Sequence, residues 1–225
     1  YYQTADLGNG VLLAVVCDGM GGAKAGNVAS RLACEVFTEE VQRSYKKDMT
    51  PGETERVLRN AASLANVSVY EQSCLSEEFR GMGTTLVALL VRSGAATVLN
   101  IGDSRAYYVD PDGIRCVTTD HSVVQYMVSR GELTPEQARC YPGKNLITRA
   151  IGTEPMVMSD VYHTEVNKGD YLLLCSDGLS NLLDDQEILY EVVHGGNNDN
   201  CCQRLLEIAN LRGSPDNVTC VLVMV

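Results

Sequence analysis

No stretch of this 225-residue chain approaches the ~20 consecutive apolar residues that a membrane helix requires; its longest apolar runs include Val11 to Cys17 and Tyr171 to Cys175. No basic run exceeds the pair Lys46-Lys47, and 29 acidic against 18 basic side chains leave a formal charge of -11. A nucleic-acid groove or an anionic membrane surface is therefore a poor partner, whereas an excess of carboxylates suits cations. With only 6 prolines, 20 glycines, 45% hydrophobic and 21% charged residues, the disordered, collagen-like and low-complexity classes do not fit. No C-x-x-C pair occurs among the 9 cysteines, an odd count, and Cys17, Cys175 and Cys220 lie inside apolar runs. Reduced, buried thiols of a cytoplasmic protein are the reading, ahead of a zinc site. The chain starts at Tyr1 without a methionine, a charged leader or a leading apolar stretch, so it reads as neither a natural start nor a signal peptide, and further residues are expected upstream. Without a heptad pattern the expected state is a monomer.

The length fits one large domain or two small ones, and a domain of this size buries roughly 70 to 75% of the surface its unfolded chain exposes. No Ser/Gly linker, charge block or repeat divides it, and strand-like and helix-like segments come in groups, so a single α+β domain spanning 1–225 is expected. An apolar strand, Val11 to Cys17, runs into the turn Asp18-Gly19-Met20-Gly21-Gly22. Helices follow at about Ala25 to Ser44 and Glu53 to Cys74, the second opened by Pro51. Strands are expected at Thr84 to Val91, Ala95 to Ile101, Arg105 to Val109 and Ile114 to Thr118, antiparallel because their connections are short. Val123 to Arg139 is helical, with Thr134-Pro135 as a start signal, and Cys140 to Glu154, lacking a period, is expected to be a mobile loop. Strands Met156 to Val166 and Tyr171 to Ser176, helices Gln186 to Val193 and Asn200 to Leu211, and a last strand Val218 to Val225 complete two sheets covered by two helix pairs.

Three Asp-Gly pairs occur. Asp112-Gly113 sits between two strands and reads as a hairpin turn. Asp18-Gly19 and Asp177-Gly178 instead end strands too apolar to be half exposed, where ionising a carboxylate is costly unless a cation compensates it. Asp216, before Asn217 and the last strand, is a third acid at a strand boundary. Oxygen-only donors favour Mg or Mn over Zn; the competing reading of each residue is a solvated turn carboxylate.

Seven strings occur in order. They are Val16-Cys17-Asp18-Gly19-Met20-Gly21-Gly22 with Ala29-Ser30, then Gly81-Met82-Gly83-Thr84-Thr85, then Asn100-Ile101-Gly102-Asp103-Ser104-Arg105. Thr119-Asp120-His121-Ser122, Ile147-Thr148-Arg149-Ala150-Ile151-Gly152, Cys175-Ser176-Asp177-Gly178-Leu179 and Asp216-Asn217-Val218-Thr219 follow. The series, covering nearly the whole chain, resembles the metal-dependent serine/threonine protein phosphatases of type 2C in their short bacterial form.

That resemblance implies a four-layer αββα sandwich with two central antiparallel sheets and a metal centre at one end, holding two Mn2+ or Mg2+ ions. Asp18 would bridge the ions, Asp177 and Asp216 would complete the ligands of one, and the backbone carbonyl of Gly19 would serve the other, with a glycine there leaving the carbonyl open to the ion. A third, looser ion would use Asp120 and Asp177, and the loop 140–154 would form part of a flap region that contributes to substrate selection. Two ions about 3.5 to 4 Å apart would activate a bridging water for in-line attack on phosphorus, so Ser104, Ser176 and the cysteines need no catalytic role. Phosphorylated proteins are the implied substrates and a serine/threonine kinase the implied counterpart.

The family's upstream arginine and Asn-Glu-Asp string belong to a first strand before the Asp18 loop, and Tyr1-Tyr2 stands about where that string ends, so the first strand is expected to be missing from 1–225. Met20 occupies the place of a proposed general-acid histidine of some animal relatives, leaving a metal-bound water as proton donor. Tyr141 precedes Pro142 where relatives often carry histidine. His121 reads as a turn-stabilising hydrogen-bond partner, His163 and His194 as exposed, Asp103 and Arg105 as ties between the sheets, and Cys201-Cys202 as helix core and boundary. The alternatives to an active phosphatase are a catalytically silent binding module of the same fold and a phosphatase domain of a larger signalling protein.

Overall fold

Strand β2 (Leu12–Val16) is apolar at every position because both faces of its sheet are covered, so the usual in-out alternation disappears. Leu13 and Val15 point to a helical layer, while Ala14 and Val16 point to a second sheet. The computed structural model describes residues 1–92, 94–194 and 200–225. Its elements run β1 (Tyr2–Asp6), β2, β3 (Gly19–Met20), α1 (Ala23–Ser44), α2 (Pro51–Cys74), β4 (Gly83–Thr84), β5 (Leu86–Arg92), β6 (Ala95–Ile101), β7 (Arg105–Asp110) and β8 (Gly113–Cys116). They continue α3 (Val123–Ser129), α4 (Pro135–Arg139), β9 (Asp160–Glu165), β10 (Tyr171–Cys175), α5 (Asp177–Ser180), α6 (Asp185–His194), α7 (Cys201–Leu211) and β11 (Cys220–Met224).

A five-stranded antiparallel sheet has the order β1-β2-β5-β6-β9, and a four-stranded one the order β11-β10-β7-β8. Three apolar layers hold them. Phe37 of α1 and Leu58 of α2 pack on Leu13, Val15 and Leu99; Val87, Leu89, Leu172 and Leu174 fill the space between the sheets; Leu173 and Tyr107 meet Ile188 and Leu205 of α6 and α7. This is the expected α+β sandwich, helices outside and sheets inside. Truncating a fully buried leucine such as Leu89 to alanine costs about 2 to 5 kcal/mol here, since neither sheet can collapse into the gap.

Helix α2 begins where the sequence places it, with Pro51 in its first turn and a reciprocal cap between Thr50 and Glu53. Thr134 and Gln137 repeat that device at α4, which is separated from α3, so the expected Val123 to Arg139 helix is two short ones. Two elements escape the apolar-run reading: the edge strand β1, exposed at most of its positions, and the two-residue pair β3–β4. The 140–154 segment also differs from the expectation of a mobile loop. Ile151 is fully buried and exchanges backbone hydrogen bonds with Thr84 at 2.8 and 3.0 Å. The Asn66 side chain of α2 accepts from the Gly152 amide at 2.8 Å and donates to the Glu154 carbonyl at 3.0 Å.

Candidate metal centre and active site

The end of β2, the end of β10, the start of β7 and the start of β11 lie at one end of the two sheets, because Cys175 pairs with both Arg105 and Cys220 while Val16 pairs with Val87. Asp18, Asp103, Asp177 and Asp216 stand just beyond those strand ends.

Asp18 is fixed through its backbone. Its amide donates to Thr85 Oγ1 at 3.0 Å, and its carbonyl accepts from the Thr85 amide and from Thr84 Oγ1, each at 2.8 Å. Thr85 Oγ1 in turn meets Ser104 Oγ at 2.7 Å, both residues being buried. The Gly-Met-Gly-Thr-Thr and Gly-Asp-Ser strings thus serve as a scaffold for the first aspartate. Gly19 is required by a neighbour: a Cβ there would lie 2.0 Å from the carbonyl oxygen of Gly26 in α1. That contact, where turn backbone meets helix backbone, is visible only once the helix is folded back on the strand.

Asp177 and Asp216 are joined by a second clasp. The Ser176 amide donates to the Thr219 carbonyl at 3.0 Å, the Thr219 amide donates to Ser176 Oγ at 3.1 Å, and Gly178 touches the Asn217 carbonyl. Asp177 Oδ2 accepts from Asn181 at 3.0 Å, and Asp216 Oδ1 accepts from the Asn217 amide at 2.7 Å.

The acidic groups act on one another. Burial, then the charges of Asp177 and Asp216, push the Asp18 carboxyl from 3.8 up to about 7, and Asp18 and Asp177 share a hydrogen bond. Burial followed by the Asp216 charge raises Asp177 as well. Asp103, read from the sequence as a tie between sheets, belongs to this group: burial, then Asp177 and Asp120, raise it to about 7. A buried carboxylate next to others would have identified it, but that requires the fold. Among the described residues no three His, Cys, Asp or Glu side chains surround one ion-sized point. Donors close to Asp177 and Asp216 in sequence hold these carboxylates. The all-oxygen donor set and the mutual destabilisation of its anions nonetheless fit hard divalent cations.

Asp120 is placed nearby but engaged otherwise. Arg105 Nε and Nη2 donate to its two oxygens at 2.9 and 2.7 Å, a forked pair. His121 takes the structural role read from the sequence: its Nδ1 accepts from the Gly102 amide at 3.1 Å, which leaves Nε2 to donate to Asp160 at 3.0 Å. Burial alone would raise Asp160, but bonds from His121 and Arg149 outweigh it and lower its pKa. His163 and His194 are exposed. Beside the carboxylates opens a cleft of about 640 Å³ whose wall includes Asp103, Asp120 and Asp177, with Arg139 and Lys144 from the segment after α3.

The chain is similar to known proteins along nearly its whole length. The family described as "Protein phosphatase 2C" matches residues 1–205. The chain is 35% identical over 214 residues to the protein phosphatase PhpP of Streptococcus pneumoniae, covering 95% of this chain and 86% of that protein. The structure of the S. agalactiae serine/threonine phosphatase superposes with a TM-score of 0.91 at 31% identity, covering 100% of this chain and 92% of the other. The catalytic domain of the serine threonine protein phosphatase PstP, solved with 2 manganese ions, superposes with a TM-score of 0.79 at 33% identity over 98% of this chain and 89% of that one.

Proposed function

The chain belongs to the protein phosphatase 2C family, and we propose that it hydrolyses phosphoserine and phosphothreonine esters of proteins at the carboxylate cluster around Asp18. The carrying observation is the convergence of Asp18, Asp103, Asp177 and Asp216 just beyond the strand ends at one end of the sheets, where burial and mutual charge raise Asp18 and Asp103 to about 7 and a divalent cation would relieve the repulsion.

In this reading Asp18, Asp177, Asp216 and the Gly19 carbonyl hold two Mn2+ or Mg2+ ions. Such ions supply the Lewis acidity that makes water nucleophilic near neutral pH and shields phosphoryl oxygens. A third ion at Asp120 and Asp177 would compete with Arg105, which already occupies both Asp120 oxygens. The side chains contribute position: Thr84, Thr85 and Ser104 hold the Asp18 backbone, and Ser176 holds the Asp216 strand against Asp177. Residues 1–225 act as one phosphatase domain, with 140–154 as the flap-region segment flanking the cleft. Phosphorylated proteins are its substrates, and a kinase of the same cytoplasm opposes it. Among the described residues no helix is long and apolar enough to cross a membrane.

The full chain given Mn2+ should release phosphate from a phosphothreonine peptide, EDTA should stop it, and Asp18→Asn should abolish it. Undiminished turnover by Asp18→Asn would overturn the assignment.

A further inference from the structure

Nine free thiols are distributed over the molecule, and two of them belong to residues in contact across the seam between α7 and β11. Cys202 is the second residue of α7 and Cys220 the first of β11; they are 18 positions apart in sequence, and the Cys220 thiol donates to the Cys202 carbonyl oxygen at 3.9 Å, which makes the two residues neighbours. Both are half-buried, in contact with solvent yet held in place by their elements. The segment they bracket carries Asp216 and Asn217.

We propose that Cys202 and Cys220 form an oxidation-sensitive dithiol, in which a hydroperoxide converts Cys202 to a sulfenic acid and Cys220 resolves it into an intramolecular disulfide. The balance is complete with the peroxide as oxidant. Thiolate sulfur attacks the peroxide oxygen and the O–O bond breaks to leave Cys202–SOH and hydroxide; the Cys220 thiol then displaces hydroxide, and the two-electron oxidation ends as S–S and water.

The division of roles follows from the contact. The Cys220 thiol donates to the Cys202 carbonyl, the contact at 3.9 Å, and is the partner that keeps its proton; the Cys202 neighbour, then burial, push its pKa up. Proximity of Cys220 draws the Cys202 pKa down to about 7 against the opposing effect of burial. Cys202 is therefore the group with thiolate available at neutral pH, and Cys220 is the resolving partner already within reach. Cys201, its sequence neighbour, is fully buried against the four-stranded sheet and has its pKa raised to about 11 by burial.

Oxidation would also be felt at Asp216. Cys220 is paired to Cys175 in the ladder, Thr219 is clasped to Ser176, and the Asn217 carbonyl already presses on Gly178, so β11 has no slack with which to absorb a pull at its first residue. This part rests on the phosphatase reading.

The test is to treat the full chain with hydrogen peroxide, block remaining thiols, digest it and map the linked peptides by mass spectrometry. A Cys202–Cys220 bridge reversed by dithiothreitol is expected, and Cys220→Ser should instead accumulate a dimedone-trappable sulfenic acid at Cys202. No bridge in the unaltered chain, or a bridge joining either residue to another cysteine, overturns the proposal without recourse to any variant. Turnover of a phosphothreonine peptide should fall at least several-fold in the bridged protein and return on reduction; equal turnover of bridged and reduced forms overturns the link to Asp216. A chain without turnover in either form would count against the phosphatase reading, while the peptide map would still decide the dithiol.

Discussion

A Cβ on Gly178 would lie 2.2 Å from the carbonyl oxygen of Asn217, so the residue after one site aspartate and the residue after another are in backbone contact. Two segments remote in sequence are thereby brought together, and with them Asp177 and Asp216. Gly178→Ala must push the Asn217 segment outward. Catalysis that depends on both carboxylates should fall by about 10²-fold, the scale of a misplacement near 1 Å. Turnover measured across a Mn2+ titration, with circular dichroism to confirm folding, checks this.

The carboxylate cluster also sets a pH dependence for the metal-free protein. Asp18 and Asp103 are each raised to about 7, so between their unfolded value and that pH the folded state binds more protons than the unfolded one. The contribution of these two groups to stability should then be full in acid below the unfolded carboxylate range and be lost as pH rises through about 7, each pKa unit being worth about 1.4 kcal/mol. Melting in EDTA should show a lower Tm near pH 8 than near pH 5, roughly the limits of that window. Asp18→Asn should melt higher than the parent at the alkaline end, and Mn2+ should raise the parent's Tm more than the variant's.

Thr85→Val preserves shape and removes one hydroxyl. It strands the Asp18 amide and Ser104 Oγ, which now meet Thr85 Oγ1 at 3.0 and 2.7 Å. An unsatisfied group of this kind costs about 1 to 3 kcal/mol. Urea unfolding should show that loss, and half-maximal turnover should need more Mn2+ because Asp18 is held less firmly.

Asn66→Ala releases both bonds that tie residues 152 and 154 to α2. A stability loss of about 2 kcal/mol is expected, with local opening easier than global unfolding. Limited proteolysis should cut within 140–154 faster in the variant than in the parent.

How much of this was legible beforehand varies with the range of the interaction responsible. Apolar runs marked β2, β6 and β10 within a residue or two, and Pro51 and Thr134-Pro135 marked helix starts, because those signals are local. The edge strand Tyr2–Asp6 has too little apolar surface to announce itself and exists because β2 offers a row of backbone partners. The segment Ala150 to Glu154 lacks a period, yet Ile151 is buried through bonds to Thr84 and the support of Asn66, neither of which is near it in sequence.

The ordered strings determined by themselves which family this chain resembles, and those around Asp18, Asp120, Asp177 and Asp216 which carboxylates to watch, since residue identity and order are carried by the chain alone. Only the tertiary structure decided that Asp103 joins the acidic group while Asp120 is engaged by Arg105, that Gly19 answers to Gly26, and that Cys202 meets Cys220. Burial, charge coupling and backbone contact are properties of distance in space, and they arise when two sheets and their helices bring remote positions to the same end.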